Sequence, residues 1–294
     1  MTTSTDAKTY GGQTNTAPLR RVLVYPQVAP DRSVSWEEFG YLRPLNHQQA
    51  VAEHAAFRQI LTDAGIEVIS GELDDAKLQD GIFPYDPGIT TNAGVILGWP
   101  GKPLRVGEVT AMKTTLNELG IPIAGRITLP GTFDGGDSFW LDGQTLAVGH
   151  GYRTNAEGLR QLTAILSEQG VSVVVVPLPH WHGPEECLHL LSLISPLDKR
   201  LAAVYRPLLP VPFLEELAAR GWELLDVPEE EFASQGPNIL ALGPRRCVIL
   251  KENTETIRRL RAAGCEVTTN SGDEISHNRT GGPTCLTRPL LRGY

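Results

Sequence analysis

Five times along the chain, a stretch with the apolar spacing of a helix ends at a glycine and is followed at once by a short apolar strand. In the first unit, "AAFRQILTDAGIEVIS", Phe57, Ile60 and Leu61 would share one helical face. The five glycines lie 43 to 55 residues apart, at Gly65, Gly120, Gly170, Gly221 and Gly264. A helix and strand of this size cannot bury their own apolar faces, so the units must pack against one another.

Short pairs of apolar runs lie between these units and have the pattern of hairpins. They are "GVILGWPGKPLRVG", "DSFWLDGQTLAVG", "KRLAAVYRP" and "NILALGPRRCVIL". Each repeat is therefore predicted to contain two strands, a helix and a further strand. We predict an α/β fold in which residues 1–294 form a single closed domain of five such modules around a pseudo-fivefold axis. The alternative is a doubly wound α/β sheet, which the same alternation would also produce.

Charge and composition exclude several classes of function. The net charge of −8 offers no basic surface for nucleic acid or anionic lipid. No apolar run approaches the roughly 18 to 20 residues of a membrane helix, and the polar start "MTTSTDAKTYGGQTNT" lacks the apolar core of a signal peptide. The four cysteines form no Cys-x-x-Cys pair, which argues against a disulfide framework or a structural zinc site. We expect a cytoplasmic protein that binds neither nucleic acid nor membrane.

The segment at residues 26–46, "PQVAPDRSVSWEEFGYLRPLN", has no clear period. Loops of this length are often functional or mobile. It is interpreted either as a lid over a central site or as a plain surface excursion.

Two aspartates stand in matched positions relative to two arginines. Asp86 in "FPYDPG" and Asp134 in "TFDGGD" each precede an arginine by 19 residues, Arg105 and Arg153 respectively. The two sets are offset by 48 residues, close to the repeat period, so neighbouring modules would present the same pair toward a common axis. Two convergent carboxylates suit a planar cation such as guanidinium, and two arginines suit a carboxylate on the same ligand. Taken singly, each aspartate is a common turn residue and each arginine a common surface charge.

Histidines offer one catalytic candidate and one weak metal candidate. His189 lies in the apolar run "CLHLLSLIS", where its ring nitrogens need partners; a histidine satisfied within the core is the competing interpretation. His180 and His182 with Cys187 form a set whose spacing is poor evidence for a metal site, so no metal is predicted.

Cys285 is the candidate nucleophile. A single cysteine is by default a structural core residue, and this interpretation is given to Cys187, Cys247 and Cys265. Cys285 differs because it follows "TGGPT", where glycines allow close approach of the backbone to a ligand.

Together these residues resemble the guanidino-group-modifying enzymes, which include dimethylarginine dimethylaminohydrolase, arginine deiminase and the amidinotransferases. The resemblance runs from "APLRRVLVYP" to "GGPTCLTRPL" and is nearest in motif to the dimethylarginine enzymes. It implies the five-bladed α/β propeller called the pentein fold, built of ββαβ modules, and a cofactor-independent hydrolase. The family's catalytic and substrate-binding residues match Asp86, Asp134, His189, Cys285, Arg105 and Arg153 here, and Asp80 matches an acid that binds the substrate's α-amino group.

The resemblance assigns a role to each residue. A thiolate at Cys285 would attack the guanidinium carbon, which is a poor electrophile, and His189 would protonate the departing amine and then activate water. Asp86 and Asp134 would orient the substrate cation, while Arg105 and Arg153 would hold its α-carboxylate.

Two departures from the family patterns bear on the substrate. Leu191 stands where arginine deiminases carry an aspartate, which favours a substituted nitrogen and hence Nω-methylated arginine. Tyr85 precedes Asp86, where the relatives carry an acid or an arginine. Alternatives left open are a citrulline ureidase, an arginine deiminase or dihydrolase, an amidinotransferase and a binding module without catalysis. The expected partner is a small guanidino or ureido amino acid, and a homo-oligomer is possible.

Overall fold

The computed structural model describes residues 8–31, 33–186 and 188–293. Within them, fifteen strands form five three-stranded sheets. The strands are β1 Leu19–Val24, β2 Glu67–Ser70, β3 Gly88–Thr91, β4 Gly94–Leu97, β5 Ile123–Arg126, β6 Ser138–Asp142, β7 Thr145–His150, β8 Ser172–Pro177, β9 Ile194–Asp198, β10 Leu201–Val204, β11 Glu223–Asp226, β12 Leu240–Gly243, β13 Arg246–Leu250, β14 Glu266–Asn270 and β15 Arg288–Arg292.

All five sheets share one topology. The central strand pairs antiparallel with one neighbour and parallel with the other, and a helix connects the parallel pair. In four sheets the three strands are consecutive, whereas in the first sheet β1 and β2 are completed by β15 from the far end of the chain. The helices are α1 Trp36–Phe39, α2 His47–Asp63, α3 Val106–Glu118, α4 Ala156–Ser167, α5 Val211–Ala219 and α6 Thr254–Ala262. Helices α2 to α6 are the connections within the sheets.

The predicted helix, glycine and strand units are present in the structure, and the fold is α/β. The glycine after each connecting helix has a positive φ, between 66° and 80°, which an L-residue adopts only at a cost. The left-handed glycine ends the helix and turns the chain into the parallel strand.

Two of the four predicted hairpins are wrong in position. "GVILGWPGKPLRVG" supplies only β4, because Pro103 opens a helical turn at Pro103–Arg105 that leads into α3, and the hairpin partner of β4 is β3 upstream. "KRLAAVYRP" likewise supplies only β10, which pairs back to β9. The hairpins in "DSFWLDGQTLAVG" and "NILALGPRRCVIL" are confirmed as β6 with β7 and β12 with β13.

The core is divided into apolar clusters in which sheets pack against helices. Beneath α2, Phe57 and Leu61 are fully buried against Val22 and Val24 of β1. Within the described part of the chain, no helix combines the length and the apolar character needed to span a membrane.

The segment at residues 26–46 is tied to the chain between residues 273 and 279. The amide of Leu42 donates to the carbonyl of Asn278 at 2.8 Å, and Arg43 forms an ion pair with Asp273. Lys102 donates to the carbonyl of Phe39 at 2.7 Å. These contacts hold the segment beside Asn278, Asp273 and Lys102, and its role as a lid stays a prediction.

Candidate active site

The site is built from five loops, one ahead of the first strand of each sheet. These loops carry Asp86 before β3, Asp134 before β6, His189 before β9, Asn238 before β12 and Cys285 before β15. Successive members are 47 to 55 residues apart. Sequence reasoning identified four of them and missed Asn238, although the same period leads to its position.

His189 lies between the two predicted carboxylates. Its Nε2 is 3.1 Å from Oδ2 of Asp134, and its Nδ1 is 3.7 Å from Oδ1 of Asp86. All three side chains are almost fully buried. A protonated imidazole at this position would be stabilised by both acids, so the ring is well placed to carry and deliver a proton.

The glycines of "DGGD" allow this approach. The amide of Gly136 donates to Oδ1 of Asp86 at 3.0 Å. A Cβ at Gly136 would lie 2.6 Å from both that oxygen and Nδ1 of His189. A side chain at this position would separate the imidazole from the carboxylate.

Asp134 is held as a carboxylate by its neighbours. Burial alone would raise its pKa, but the hydrogen bond with His189 and the charge of Arg153, whose Nη1 is 3.2 Å away, outweigh burial and lower the pKa to about 2. Its other oxygen accepts from the amide of Gly101 at 3.0 Å. The charge of Asp134 therefore persists at every pH at which the protein would operate.

Asp137, the second acid of "DGGD", fixes the loops around the site. It accepts from the hydroxyl of Thr154 at 2.6 Å and from the amide of Leu190 at 3.1 Å, which positions the residue next to His189. Burial raises the pKa of Asp137 to about 7. Sequence reasoning gave it no role.

All three guanidinium nitrogens of Arg105 donate hydrogen bonds to other groups of the protein. Its Nη1 donates to Asp86, its Nε and Nη2 donate to Glu108, and Nη2 also reaches the carbonyls of Asp80 and Phe83. Burial raises the pKa of Glu108 to about 7, despite the opposing charge of Arg105. Glu108 was missed from the sequence, although its position three residues after Arg105 on a helical turn is a usual spacing for an ion pair.

Cys285 is partly buried, and its sulfur faces polar groups as well as the apolar cluster beneath α2. Nδ2 of Asn238 donates to Sγ at 3.1 Å. Burial raises the pKa of the Cys285 thiol to about 11, and the negative charge of Asp86 adds to the rise. Before a ligand binds, the sulfur is therefore a thiol at neutral pH.

Asp80 is buried against cations. Nε and Nη2 of Arg279 donate to its two oxygens, each at 2.8 Å, and Nζ of Lys102 is 3.7 Å from Oδ2. Arg279 and Lys102 were missed from the sequence, since neither stands at a repeat-related position. Burial lowers the pKa of Lys102 to about 8.

Among the described residues, Asp86, Asp134 and His189 are the one set whose ligand atoms lie close enough to hold a metal ion, within 4.8 Å of one another. Both carboxylates are already neutralised by arginines, which opposes binding of a divalent cation. His180 contacts Tyr152, and His182 stacks on Trp181; Cys187 lies outside the described residues.

The remaining candidates have structural surroundings. Leu191 lies in the apolar core, and the ring of Tyr85 packs under the guanidinium of Arg288 at 3.9 Å. Cys247 and Cys265 are buried in one apolar cluster, as their interpretation as core residues requires.

Comparison with known proteins shows the family to which the chain belongs. A family model described as N,N dimethylarginine dimethylhydrolase, eukaryotic, matches residues 30–292. The N(G),N(G)-dimethylarginine dimethylaminohydrolase of Pseudomonas aeruginosa is 29% identical over 252 residues, which cover 84% of this chain and 90% of that protein. The enzyme of the same name from Streptomyces coelicolor is 30% identical over 223 residues, covering 76% and 79%. A solved structure of a mutant of the Pseudomonas aeruginosa enzyme with citrulline superimposes with a TM-score of 0.76 at 23% identity, covering 93% of this chain and all of that one.

The chain is therefore a hydrolase of the class that acts on the C–N bonds of linear amidines. More closely, it belongs to the dimethylarginine dimethylaminohydrolase family within the guanidino-group-modifying enzymes.

Proposed function

We propose that the protein hydrolyses the guanidinium group of Nω-methylated L-arginine to L-citrulline and an alkylamine, through a covalent intermediate on Cys285. The observation that carries the proposal is that His189 contacts Asp86 and Asp134, and that the charges of Asp86 and His189 act on Cys285, with the four residues coming from four sheets. The names and activities of the relatives also support it.

The substrate supplies the charge that activates the nucleophile. With the pKa of Cys285 raised to about 11, little thiolate exists in the free enzyme. A guanidinium cation beside Sγ favours the thiolate, and the proton of the Cys285 thiol passes to His189. Asp86 and Asp134 accept N–H donors from the guanidinium and keep the group cationic while the sulfur approaches.

The reaction then proceeds in two stages. Sγ bonds to the guanidinium carbon to give a tetrahedral species, and the C–N bond to the alkylamine breaks as the amine takes a proton from His189. A water molecule attacks the resulting thiouronium and gives a proton to His189. The C–S bond breaks and the hydroxyl proton passes to the released alkylamine or to solvent, so that citrulline forms, and the Cys285 thiolate takes back a proton from His189.

Asp80, Asp86, Arg105 and Arg153 are the proposed substrate-binding residues. Arg105 would act chiefly by holding Asp86, because direct contact with an α-carboxylate requires its guanidinium to leave Glu108. Arg153 would orient Asp134 in the same way.

The finer features of the fold belong to the same proposal. We propose that residues 1–294 form one domain in which the five sheets surround a pseudo-fivefold axis as the blades of a pentein propeller. The closure of the first sheet by β15 and the convergence of five equivalent loops support this arrangement. A cytoplasmic location and a homo-oligomer stay predictions.

The decisive experiment supplies the purified protein with Nω-methylarginine, arginine and citrulline, and measures alkylamine, ammonia and urea. We expect alkylamine and citrulline from the first compound. Ammonia from arginine, urea from citrulline, or turnover only with an added amine such as glycine would favour a deiminase or dihydrolase, a ureidase or an amidinotransferase, respectively.

Variants at two cysteines test the nucleophile. Cys285→Ser should abolish turnover, and mass spectrometry after acid quenching should locate an adduct on Cys285 in the unmodified enzyme. Cys265→Ser, in the buried apolar cluster, is the matched control and should retain activity. Turnover by Cys285→Ser would refute the assignment.

A further inference from the structure

Two arginines of β15 are buried without a carboxylate partner. Arg288 and Arg292 are each only 4% exposed. Within the described part of the chain neither forms an ion pair, whereas the buried Arg105, Arg153 and Arg279 each contact an acid. A charged side chain is rarely buried to this extent unless it is paired, because removal of a charge from water is costly. The two guanidiniums therefore call for a compensating group.

The hydrogen bonds that these two guanidiniums donate to the described residues all end on backbone carbonyls. Each arginine has two such acceptors, Pro84 and Tyr85 for Arg288 and Ala17 and Ala241 for Arg292. These bonds do not use Nη1 of Arg288 or Nε of Arg292. A carbonyl oxygen carries only a partial negative charge, so it satisfies an N–H group without neutralising the cation.

The surrounding charges do not make up the difference. The carboxylate of Asp86 acts on Arg288 from beyond ion-pair distance, but Asp86 is already paired with Arg105. The ring of Tyr85 gives Arg288 a cation–π attraction, which is weaker than a full counter-charge. Burial lowers the pKa of Arg292 to about 10, and the charge of Arg288 acts in the same direction.

Both arginines line a small cavity between β3, β6 and β15. Its volume is about 30 Å³, and its other polar side chains include those of Thr14, Asn15, Tyr85, Thr90 and Ser138. A second cavity of about 10 Å³ shares Asn15, Tyr85 and Arg292 with the first. Among the described residues that line the two cavities there is no aspartate or glutamate. The lining is therefore positively charged and rich in hydrogen-bond donors.

The size of the larger cavity limits what it can hold. A water molecule needs about 10 to 15 Å³ of cavity volume. A cavity of about 30 Å³ therefore has room for one or two waters or for a single monatomic anion. Phosphate, sulfate and the carboxylate end of an amino acid are too large for it.

We infer that this cavity binds a halide ion, of which chloride is the common one, against the guanidiniums of Arg288 and Arg292. The halide supplies the negative charge that the two buried cations lack, and it accepts hydrogen bonds from guanidinium N–H groups that have no carbonyl acceptor. Guanidinium suits such a site because it is more weakly hydrated than an ammonium group. The site is separate from the reaction proposed at Cys285.

Arg288 connects the proposed halide site to the candidate active site. Its Nη2 donates to the carbonyl of Tyr85, the residue before Asp86. A Cβ at Gly135, the residue after Asp134, would lie 3.1 Å from the same nitrogen. The guanidinium thus lies against the backbone of both loops that carry the acids, and an anion that holds it in place also supports these loops.

The first measurement compares salts of different anions. Thermal unfolding is followed by circular dichroism in potassium chloride, bromide and gluconate at equal ionic strength, so that screening is the same in all three. Chloride and bromide should raise Tm by at least about 3 °C over gluconate, with a dependence on concentration that saturates as a binding site fills. Equal Tm values, or a difference that rises without saturation, would mean that the cavity holds water only and would overturn the inference.

The second measurement locates the effect. Arg288→Gln and Arg292→Gln each remove one cation but keep an amide that can donate to a carbonyl. Each should at least halve the halide-dependent rise in Tm. Arg160→Gln, which removes an exposed cation of α4, is the matched control and should keep the full rise. A full rise in either cavity variant would overturn the inference.

Direct observation of the anion decides the matter even if both glutamine variants fail to fold. Crystals of the unmodified protein grown with bromide should give an anomalous scattering peak in the cavity, within hydrogen-bond distance of a guanidinium nitrogen of Arg288 or Arg292. Bromide found only at the surface would overturn the inference. Bromide found in the cavity at molar concentration, without a saturating rise in Tm, would be an adventitious ion only and would overturn it too. None of these measurements uses turnover, so the proposed function can fail without affecting their outcome.

Discussion

Arg105 should be the most costly single cation to remove, since its guanidinium separates two buried carboxylates. Arg105→Met keeps much of the side-chain volume but leaves Asp86 and Glu108 without their counter-ion, and two carbonyls without a donor. Breaking a buried ion pair by removing one partner costs about 3 to 5 kcal/mol. We expect a loss of this size in the free energy of unfolding at pH 8.

The loss should shrink as the pH falls. The pKa of Glu108 is raised to about 7, above its ordinary value, so protonated Glu108 stabilises the folded state below its unfolded pKa, and this contribution disappears as the pH rises through 7. Without Arg105 the pKa of Glu108 rises further. The pKa of Asp86 rises as well, because the charge of Arg105 no longer lowers it. At pH 5 the variant can bury neutral acids instead of charges, so the difference from the unmodified protein should be smaller there.

Urea denaturation followed by circular dichroism at pH 5 and pH 8 measures both effects. Arg105→Met combined with Glu108→Gln should recover part of the loss at pH 8. Arg160→Met, which removes an exposed cation, should leave the midpoint unchanged at both pH values. A loss under about 1 kcal/mol, or one that does not vary with pH, would refute the account of Arg105 as the counter-ion of buried charges.

Three further predictions concern the proposed nucleophile, the close approach of two loops and the core. With its pKa raised to about 11, Cys285 should react with iodoacetamide at pH 8 about a hundredfold more slowly than free cysteine. The rate, followed by peptide mass spectrometry, should increase about tenfold per pH unit toward pH 10. A rate equal to that of free cysteine would contradict the raised pKa. Gly136→Ala should lower kcat/KM by at least about a hundredfold, because its Cβ would part the imidazole from a carboxylate, whereas Gly143→Ala, with nothing within 4 Å, should be neutral in the same assay. Phe57→Ala should cost about 3 to 5 kcal/mol in urea denaturation, and a loss below about 1 kcal/mol would mean that the site beneath α2 is not tightly packed.

The repeat made most of the fold predictable. Apolar spacing identified each connecting helix, and the glycine after it located the turn into the parallel strand. The hairpins were harder to predict, because an apolar run after a strand has the same sequence pattern whether it forms a second strand or a helical turn. In "GKPLRVG" the proline decided the outcome, since Pro103 favours the first turn of a helix and cannot donate to a sheet.

Some residues of the site occupy equivalent positions in the sequence repeat, whereas others are brought to the site only by the tertiary fold. Asp86, Asp134, His189 and Cys285 could be selected because each stands near a module boundary and has a chemically informative side chain. Asn238 shares that position, but an asparagine before a strand is a common turn residue and attracts no notice alone. Arg279 and Lys102 meet Asp80 only through the tertiary fold. Their spacing in the sequence therefore does not show that Asp80, the predicted ammonium-binding residue, is paired with cations of the protein itself.

The equivalence of the five loops also explains why Cys285, the proposed nucleophile, lies just ahead of β15. Four sheets begin with a strand that directly follows a site loop, and the first sheet obtains its equivalent strand, β15, from the last segment of the chain. Pairing of β15 with β1 completes the first sheet, and the loop ahead of β15 places Cys285 beside Asn238. Substitutions that weaken this pairing should lower activity before they unfold the other four sheets, because the position of the sulfur depends on this strand.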